Sequence, residues 1–203
     1  ADSLDEQRNR YAQIKQAWDN KQMDTVQALM PTLKDYPLYP YLEYRQITDD
    51  LMNQPTVTVN NFIQANPTLP PARALKSRFV NELARREDWR GLLAFSPDKP
   101  GATEAQCNYY YAKWATGQQE EAWAGAKELW LTGKSQPNAC DPLFSAWRAS
   151  GKQDPLSYLE RIRLAMKAGN TRLVTVLAGQ MPADYQTIAS AVISLANDPN
   201  TVL

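Results

Sequence analysis

The residues with the clearest potential for chemistry are two pairs of neighbouring carboxylates, Asp49-Asp50 and Glu120-Glu121. Hydrolysis of a glycosidic bond needs two carboxyl groups at a fixed separation on either side of the bond. Adjacent residues on a helix point about 100° apart and do not provide that arrangement. Glu120 and Glu121 are better explained as acids in the first turn of a helix, where they complement the helix dipole. We therefore assign no catalytic residue to this chain.

Composition argues against several other chemistries. The chain contains no histidine, which excludes Ser-His-Asp and Cys-His nucleophilic systems and His-ligated metal sites within it. Two cysteines alone do not make a zinc site, and the eight glycines form no nucleotide-binding loop. We predict neither a metal nor a cofactor. Because 22 basic residues balance 22 acidic ones, a nucleic-acid partner is also disfavoured.

The two cysteines, Cys107 and Cys140, allow two interpretations. They can be unpaired buried thiols, which helix and turn positions permit. They can also form a disulfide, which the even count and their positions at opposite ends of one helical hairpin and its outgoing loop favour. We predict the disulfide, which implies an oxidising compartment such as a periplasm.

The elements that would position these residues are helices. The hairpin from Thr103 to Cys140 begins with a T-x-x-Q capping box and turns at Gly117. Its first helix carries apolar residues at i, i+3, i+4 and i+7, and its second carries a similar stripe. The two stripes are Cys107, Tyr110, Tyr111 and Trp114, followed by Ala122, Trp123, Ala126, Leu129 and Trp130.

Similar start and stop signals occur along the rest of the chain. Ser3, Asp88 and Asn170 or Thr171 are predicted helix caps, and Pro31 is a predicted helix end. Asp-Pro pairs predict helix starts at 141, 154 and 198. Helical spacing also predicts that Leu4, Leu38 and Tyr41 face inward. The segment Val57 to Val59 alternates like a strand but keeps helical spacing with Phe62, and we predict a short helix there.

These signals predict an all-α fold of about a dozen helices. Residues 14–18 and 162–166 precede similar turns, and the hairpin at Gly117 follows the same plan without a strict period. We expect an irregular α-superhelix, or solenoid, of stacked tetratricopeptide-like hairpins that forms a single domain over residues 1–203. Apolar runs fall far short of the ~20 residues that span a bilayer. We therefore expect a soluble chain with no membrane span and no targeting segment.

Aromatic and basic residues have both functional and structural interpretations. The Tyr-rich segment from Asp35 to Arg45 could stack on sugar rings, but core spacing favours helix packing. A run of basic residues is most simply a solvated helix face: Arg73, Lys76, Arg78, Arg85, Arg86 and Arg90.

Three segments, LKDYPLYPYLEYR, ARALKSRFVNELARREDWRGLLAF and CNYYYAKWATGQQEEAWAGAKELW, closely resemble the N-terminal part of the soluble lytic transglycosylases of Gram-negative periplasms. The resemblance covers Ser3 to Leu203. It implies a U-shaped helical superhelix followed by linker and lysozyme-like catalytic domains, which together form a ring around glycan strands. The family cleaves the β-1,4 bond between N-acetylmuramic acid and N-acetylglucosamine to a 1,6-anhydro product, with one catalytic glutamate.

The chain departs from that family in its chemistry. No glutamate here is followed by serine, as the family's catalytic glutamate is, and no Gly-Leu-Met-Gln segment occurs. The resemblance therefore implies a non-catalytic periplasmic scaffold that acts on peptidoglycan through its downstream domains. The alternatives are a free-standing periplasmic helical-repeat adaptor for a protein or peptide and, more weakly, a small autonomous glycosidase. Apolar residues near the C-terminal end also predict self-association: Val192, Leu195, Val202 and Leu203.

Overall fold

The computed structural model describes residues 3–198 of the 203. Within this range there are twelve α-helices, three short 3-10 segments and no β-strand, which confirms the all-α fold class. The helices are α1 Leu4–Asp19, α2 Met23–Leu29, α3 Tyr39–Asp49, α4 Thr56–Ala65, α5 Pro70–Arg85, α6 Trp89–Phe95, α7 Thr103–Ala115, α8 Gln119–Trp130, α9 Asp141–Ala149, α10 Leu156–Lys167, α11 Thr171–Gln180 and α12 Ala183–Ala196. The 3-10 segments are Met30–Leu33, Leu51–Asn53 and Asn138–Cys140. The predicted helix start at Pro199 and the apolar residues Val202 and Leu203 lie outside the described residues.

Several helix boundaries follow directly from capping chemistry. The side chains of Ser3, Asp88 and Asn170 each accept a hydrogen bond from the backbone N–H three residues later, at 3.0 to 3.2 Å. Because these N–H groups have no partner inside the helix, the caps fix where α1, α6 and α11 begin. Pro31 likewise ends α2, and the chain continues as the 3-10 segment Met30–Leu33.

Other predicted starts are displaced by one or two residues. Thr103 is the first residue of α7 rather than its cap, and Ala102 holds the cap position. The predicted capping box does not form, since the Gln106 side chain donates instead to the carbonyl of Pro100 at 3.0 Å. The Val57–Val59 segment lies inside α4, so the helical interpretation is confirmed.

One turn recurs at four places and joins the helix pairs α1 and α2, α5 and α6, α7 and α8, and α10 and α11. The residue after the first helix has a left-handed φ between 57° and 89° in each case: Lys21, Glu87, Gly117 and Gly169. In each turn the following N–H reaches back five residues, to the carbonyl of Ala17, Leu83, Lys113 or Ala165, at 2.8 to 3.0 Å. This is the Schellman arrangement, which satisfies carbonyls at the end of a helix.

Substitutions at these turns should have opposite effects according to the residue now present. Lys21→Gly and Glu87→Gly should each raise the free energy of unfolding by about 0.5 to 1 kcal/mol, because a side chain strains left-handed backbone. Gly117→Ala and Gly169→Ala should each lower it by about 1 kcal/mol, since an added Cβ would contact nothing within 4 Å and the cost is conformational. Urea unfolding followed by circular dichroism would measure these changes. Gly101→Ala, at an open position without positive φ, is the matched control, and destabilisation by Lys21→Gly would contradict the assignment.

The chain divides into two compact units between Leu75 and Lys76. The core of the first unit is built from α1, α2, the 3-10 segment Met30–Leu33 and α3, and comprises Ile14, Ala17, Trp18, Val26, Met30, Leu33, Tyr36 and Leu42. The larger core of the second unit runs from α7 to α12 and is centred on Trp130 and the cysteines. The prediction of a single domain over residues 1–203 stays a prediction.

The buried face of α7 is broader than its apolar spacing predicted. Ala105, Tyr109 and Ala112 are buried, whereas Tyr110 and Tyr111 are half-buried. The reason is that α7 packs against both α6 and α8, so two sides of the helix are covered. Three predicted inward positions in the first unit are wrong: Leu4, Leu38 and Tyr41 are 55%, 39% and 39% exposed. Helical spacing selects a face of the helix but does not show what covers that face.

Close approach of α7 and α8 depends on a residue without a side chain. The Tyr110 ring lies against Gly125, and a Cβ at that position would overlap the ring.

Among the described helices, none is long and apolar enough to cross a bilayer.

Candidate functional site

In the two carboxylate pairs, Asp49, Asp50 and Glu121 make contacts with neighbouring side chains. Asp49 accepts a hydrogen bond from the indole of Trp18 at 2.7 Å, and Asp50 accepts one from Asn53 at 2.8 Å. Glu121 pairs with Lys113 at 2.8 Å across the α7–α8 hairpin. Three of the four carboxylates therefore have structural partners.

The Tyr-rich segment from Asp35 to Arg45 is mainly part of the packing of the first unit. Tyr36 is 6% exposed and its ring lies 5.4 Å from that of Tyr11. The ring of Tyr44 lies 6.5 Å from that of Phe62. Tyr41 is exposed, and its ring stacks on no other ring within residues 3–198. Tyr36 and Tyr44 therefore contribute to packing in the first unit.

Cys107 and Cys140 form the predicted disulfide. Their Cα atoms are 4.9 Å apart, and both residues are completely buried. Cys107 belongs to α7 and Cys140 ends the 3-10 segment Asn138–Cys140 immediately before α9. The bond therefore fastens α7 to the start of α9 and fixes the loop that follows α8.

A cleft of about 350 Å³ lies next to this bond, and we call it the disulfide cleft. One side is aromatic: the rings of Trp89 and Tyr111 meet edge to face at 4.9 Å. The Trp114 ring extends this contact, since its centre lies 5.1 Å from the centre of the Tyr111 ring. Residues Ala139 and Pro142, on either side of Cys140, close another side of the cleft.

Apart from Ala84, the remaining lining of the disulfide cleft is polar. The amide of Asn108 donates to that of Asn81 at 2.9 Å, which orients both groups. Glu104, Glu87 and Arg85 also line the cleft. An aromatic surface beside planar amides and carboxylates can bind a small ligand that has both an apolar face and hydroxyl groups.

Arg85 is held in place by a buried carboxylate, that of Glu82, which is 8% exposed. Nε and Nη2 of Arg85 donate to it at 3.0 and 2.6 Å, and Arg86 donates at 3.2 Å. The hydrogen bonds from Arg85 hold the pKa of Glu82 below its ordinary value of 4.5, against the opposing effect of burial. Glu82 therefore positions one wall of the cleft.

This ion pair should make stability depend on pH in the acid range. Because the folded state lowers the pKa of Glu82, its contribution is complete above about pH 4.5 and is lost as the pH falls through the lowered value. Glu82→Gln should lower the free energy of unfolding by about 1 to 2 kcal/mol at pH 7 and by less at pH 3. Denaturant titrations at both pH values would measure this. Glu160→Gln, at an exposed position on α10, is the control, and equal losses at the two pH values would contradict the assignment.

Sequence reasoning did not find this cleft. It placed Trp89 only at the start of a helix, and no sequence signal joins Asn81 to Asn108, because they lie on different helices. Within residues 3–198 no cluster of three or more His, Cys, Asp or Glu side chains could hold a metal.

Comparison with known proteins shows which proteins the chain is similar to. The chain is 88% identical over all of its 203 residues to the soluble lytic murein transglycosylase of Escherichia coli K12, of which it covers 32%. The crystal structure of the 70-kDa soluble lytic transglycosylase from Escherichia coli matches 98% of the chain with a TM-score of 0.93. Over its whole length, the chain is thus similar to the N-terminal third of that transglycosylase.

More distant soluble lytic transglycosylases give the same result. The protein of Salmonella typhimurium LT2 is 84% identical over the whole chain, which covers 32% of its length. The structure of an inactive mutant of lytic transglycosylase Slt from Pseudomonas aeruginosa is 34% identical in sequence, with a TM-score of 0.84. The match covers 94% of the present chain and 31% of the Pseudomonas chain. No family model matches the chain. The chain thus spans about a third of the length of the curated relatives it matches.

Proposed function

We propose that this chain is the non-catalytic helical scaffold of a soluble lytic transglycosylase that acts on peptidoglycan. The observation that supports this is the 88% identity over the whole chain to the Escherichia coli enzyme. In this proposal, domains beyond these residues cleave the bond between N-acetylmuramic acid and N-acetylglucosamine to give 1,6-anhydromuropeptides. The present residues form one arm of the ring that holds the glycan strand.

The proposal includes a periplasmic location. The disulfide supports it, because such bonds persist in oxidising compartments and are rare in the cytosol. A bond that joins two completely buried sulfurs between α7 and α9 is an integral part of the fold.

Within this function, the disulfide cleft is the place where a glycan strand would contact the scaffold. The Trp89 and Tyr111 rings can cover the apolar face of a sugar ring. Asn81, Asn108 and Glu104 offer donors and acceptors to its hydroxyl and acetamido groups.

The proposed lack of catalytic activity in the 203-residue chain has a direct test. The 203-residue chain should release no anhydromuropeptides from purified peptidoglycan, while the full-length Escherichia coli enzyme releases them in parallel. Turnover above background that is lost on changing one of the chain's own carboxylates would overturn the non-catalytic assignment.

Co-sedimentation with insoluble peptidoglycan tests the glycan contact separately. Trp89→Ala should weaken binding by about fivefold, the equivalent of one aromatic contact. Tyr41→Ala, which removes an exposed ring outside the cleft, should leave binding unchanged. Equal binding by both variants would remove the disulfide cleft from the proposal without affecting the scaffold assignment.

A further inference from the structure

A second cleft contains a buried positive charge that the proposed function does not use. Arg161 on α10 is 4% exposed, and its guanidinium carbon lies 4.4 Å from the Trp130 ring centre and 5.7 Å from that of Phe144. Desolvation lowers the pKa of Arg161 to about 10, so the group stays protonated at neutral pH. The fold thus keeps a cation in its interior.

The hydrogen bonding of this cation is incomplete. Among the described residues its one hydrogen bond is from Nη2 to the carbonyl of Lys134, at 3.1 Å. Its Nε is buried and has no hydrogen-bond partner within residues 3–198. A guanidinium presents five N–H donors, and leaving buried donors unsatisfied is costly. The side chain therefore retains capacity to bind an acceptor.

Arg161 lines a cleft of about 410 Å³, which we call the arginine cleft. Arg148 on α9 and Arg172 on α11 also line it, and no hydrogen bond or ion pair joins the side chain of either to another residue within 3–198. Asp141 is the one carboxylate in the lining, which leaves an excess of positive charge. The cleft therefore favours an anion, and its volume is that of a small-molecule site.

The other lining residues restrict which anion fits. Leu173, Val176 and Leu177 of α11, with Phe144, give the arginine cleft an apolar wall. A guanidinium matches the planar fork of a carboxylate, to which it donates two parallel hydrogen bonds. A bare inorganic anion would satisfy the arginines but leave the apolar wall without a contact.

We propose that the arginine cleft binds a carboxylate carried on a short aliphatic body, the chemistry of a peptide C-terminus. Arg161 and its two neighbours bind the carboxylate, and the apolar wall holds the aliphatic part. This site is distinct from the disulfide cleft and does not depend on the proposed scaffold function.

The test uses the 203-residue chain with N-acetyl-alanyl-alanine as the probe and its C-terminal amide as the uncharged analogue. Trp130 contacts Arg161, so its fluorescence reports occupancy, and calorimetry gives the affinity. The acid should bind with a Kd of about 1 mM or tighter, and the amide at least about tenfold more weakly. Sodium phosphate should bind more weakly than the acid, because it does not use the apolar wall.

Variants at exposed positions keep the test independent of folding. Arg148→Gln and Arg172→Gln should each weaken binding of the acid by about tenfold, whereas Arg163→Gln, an exposed arginine on the same helix as Arg161, should have no effect. Equal binding of acid and amide, unchanged affinity in both cleft variants, or no binding at about 20 mM acid would overturn the proposal. Phosphate that binds as tightly as the acid would overturn the assignment of an aliphatic carboxylate.

Discussion

Trp130→Ala should lower the free energy of unfolding of the second unit by about 3 to 5 kcal/mol. Trp130 is 3% exposed, and the rings of Phe144 and Tyr158 each lie 5.0 Å from it in edge-to-face contact. Its indole N–H also donates to the carbonyl of Ser157 at 3.0 Å. Removing the ring would therefore create a cavity, remove the hydrogen bond to the Ser157 carbonyl and remove the aromatic cover of Arg161.

Two further variants separate these contributions. Trp130→Phe keeps much of the packing but loses the hydrogen bond, and should cost about 1 to 3 kcal/mol. Trp114→Ala removes a half-buried ring that contacts Tyr111, and should cost less than Trp130→Ala. Denaturant unfolding followed by near-ultraviolet circular dichroism provides the values. A similar loss for Trp114→Ala and Trp130→Ala would show that Trp130 is not the centre of the core.

Removal of the disulfide should have the next largest effect. Cys107 and Cys140 are 33 positions apart, and closing a loop of that length stabilises a fold by about 3 to 4 kcal/mol in the chain-entropy model. The Cys107→Ala/Cys140→Ala double variant should therefore unfold at a temperature roughly 6 to 16 °C lower. Differential scanning calorimetry of the 203-residue chain would measure the shift in the unfolding transition of its second unit.

The disulfide prediction has an internal control. Reductant should lower the unfolding temperature of the parent chain towards that of the double variant, and should leave the double variant unchanged. Loss of less than about 1 kcal/mol in the double variant would indicate that packing around α7 and α9 holds the loop without the bond.

Several helix ends with a local physical cause were predicted correctly, although the capping box at Thr103 does not form. Ser3, Asp88 and Asn170 cap helices because a short polar side chain reaches an N–H three residues away, whatever surrounds it. Pro31 ends α2 because it lacks a backbone donor. The cysteine pairing followed from an even count and a hairpin that brings its ends together.

Packing partners decided the features that sequence reasoning missed. Glu87 adopts the same left-handed turn as Gly117, but its residue type does not indicate positive φ. Tyr109 is buried because α6 covers that side of α7, where Tyr109 also donates to the carbonyl of Pro97 at 3.0 Å. Local spacing contains no information on which distant helix lies against a given face.

The hairpin from Thr103 to Cys140 shows the same division. Its sequence alone determined two helices and a glycine turn, because each depends on contacts within a few residues, and it predicted the disulfide from an even cysteine count and the hairpin plan. Only the tertiary structure decided that Trp89 of α6 meets Tyr111 edge to face and that Arg161 of α10 lies against Trp130. Both clefts are formed by side chains that are distant in sequence, and only the packing of whole helices brings such side chains together.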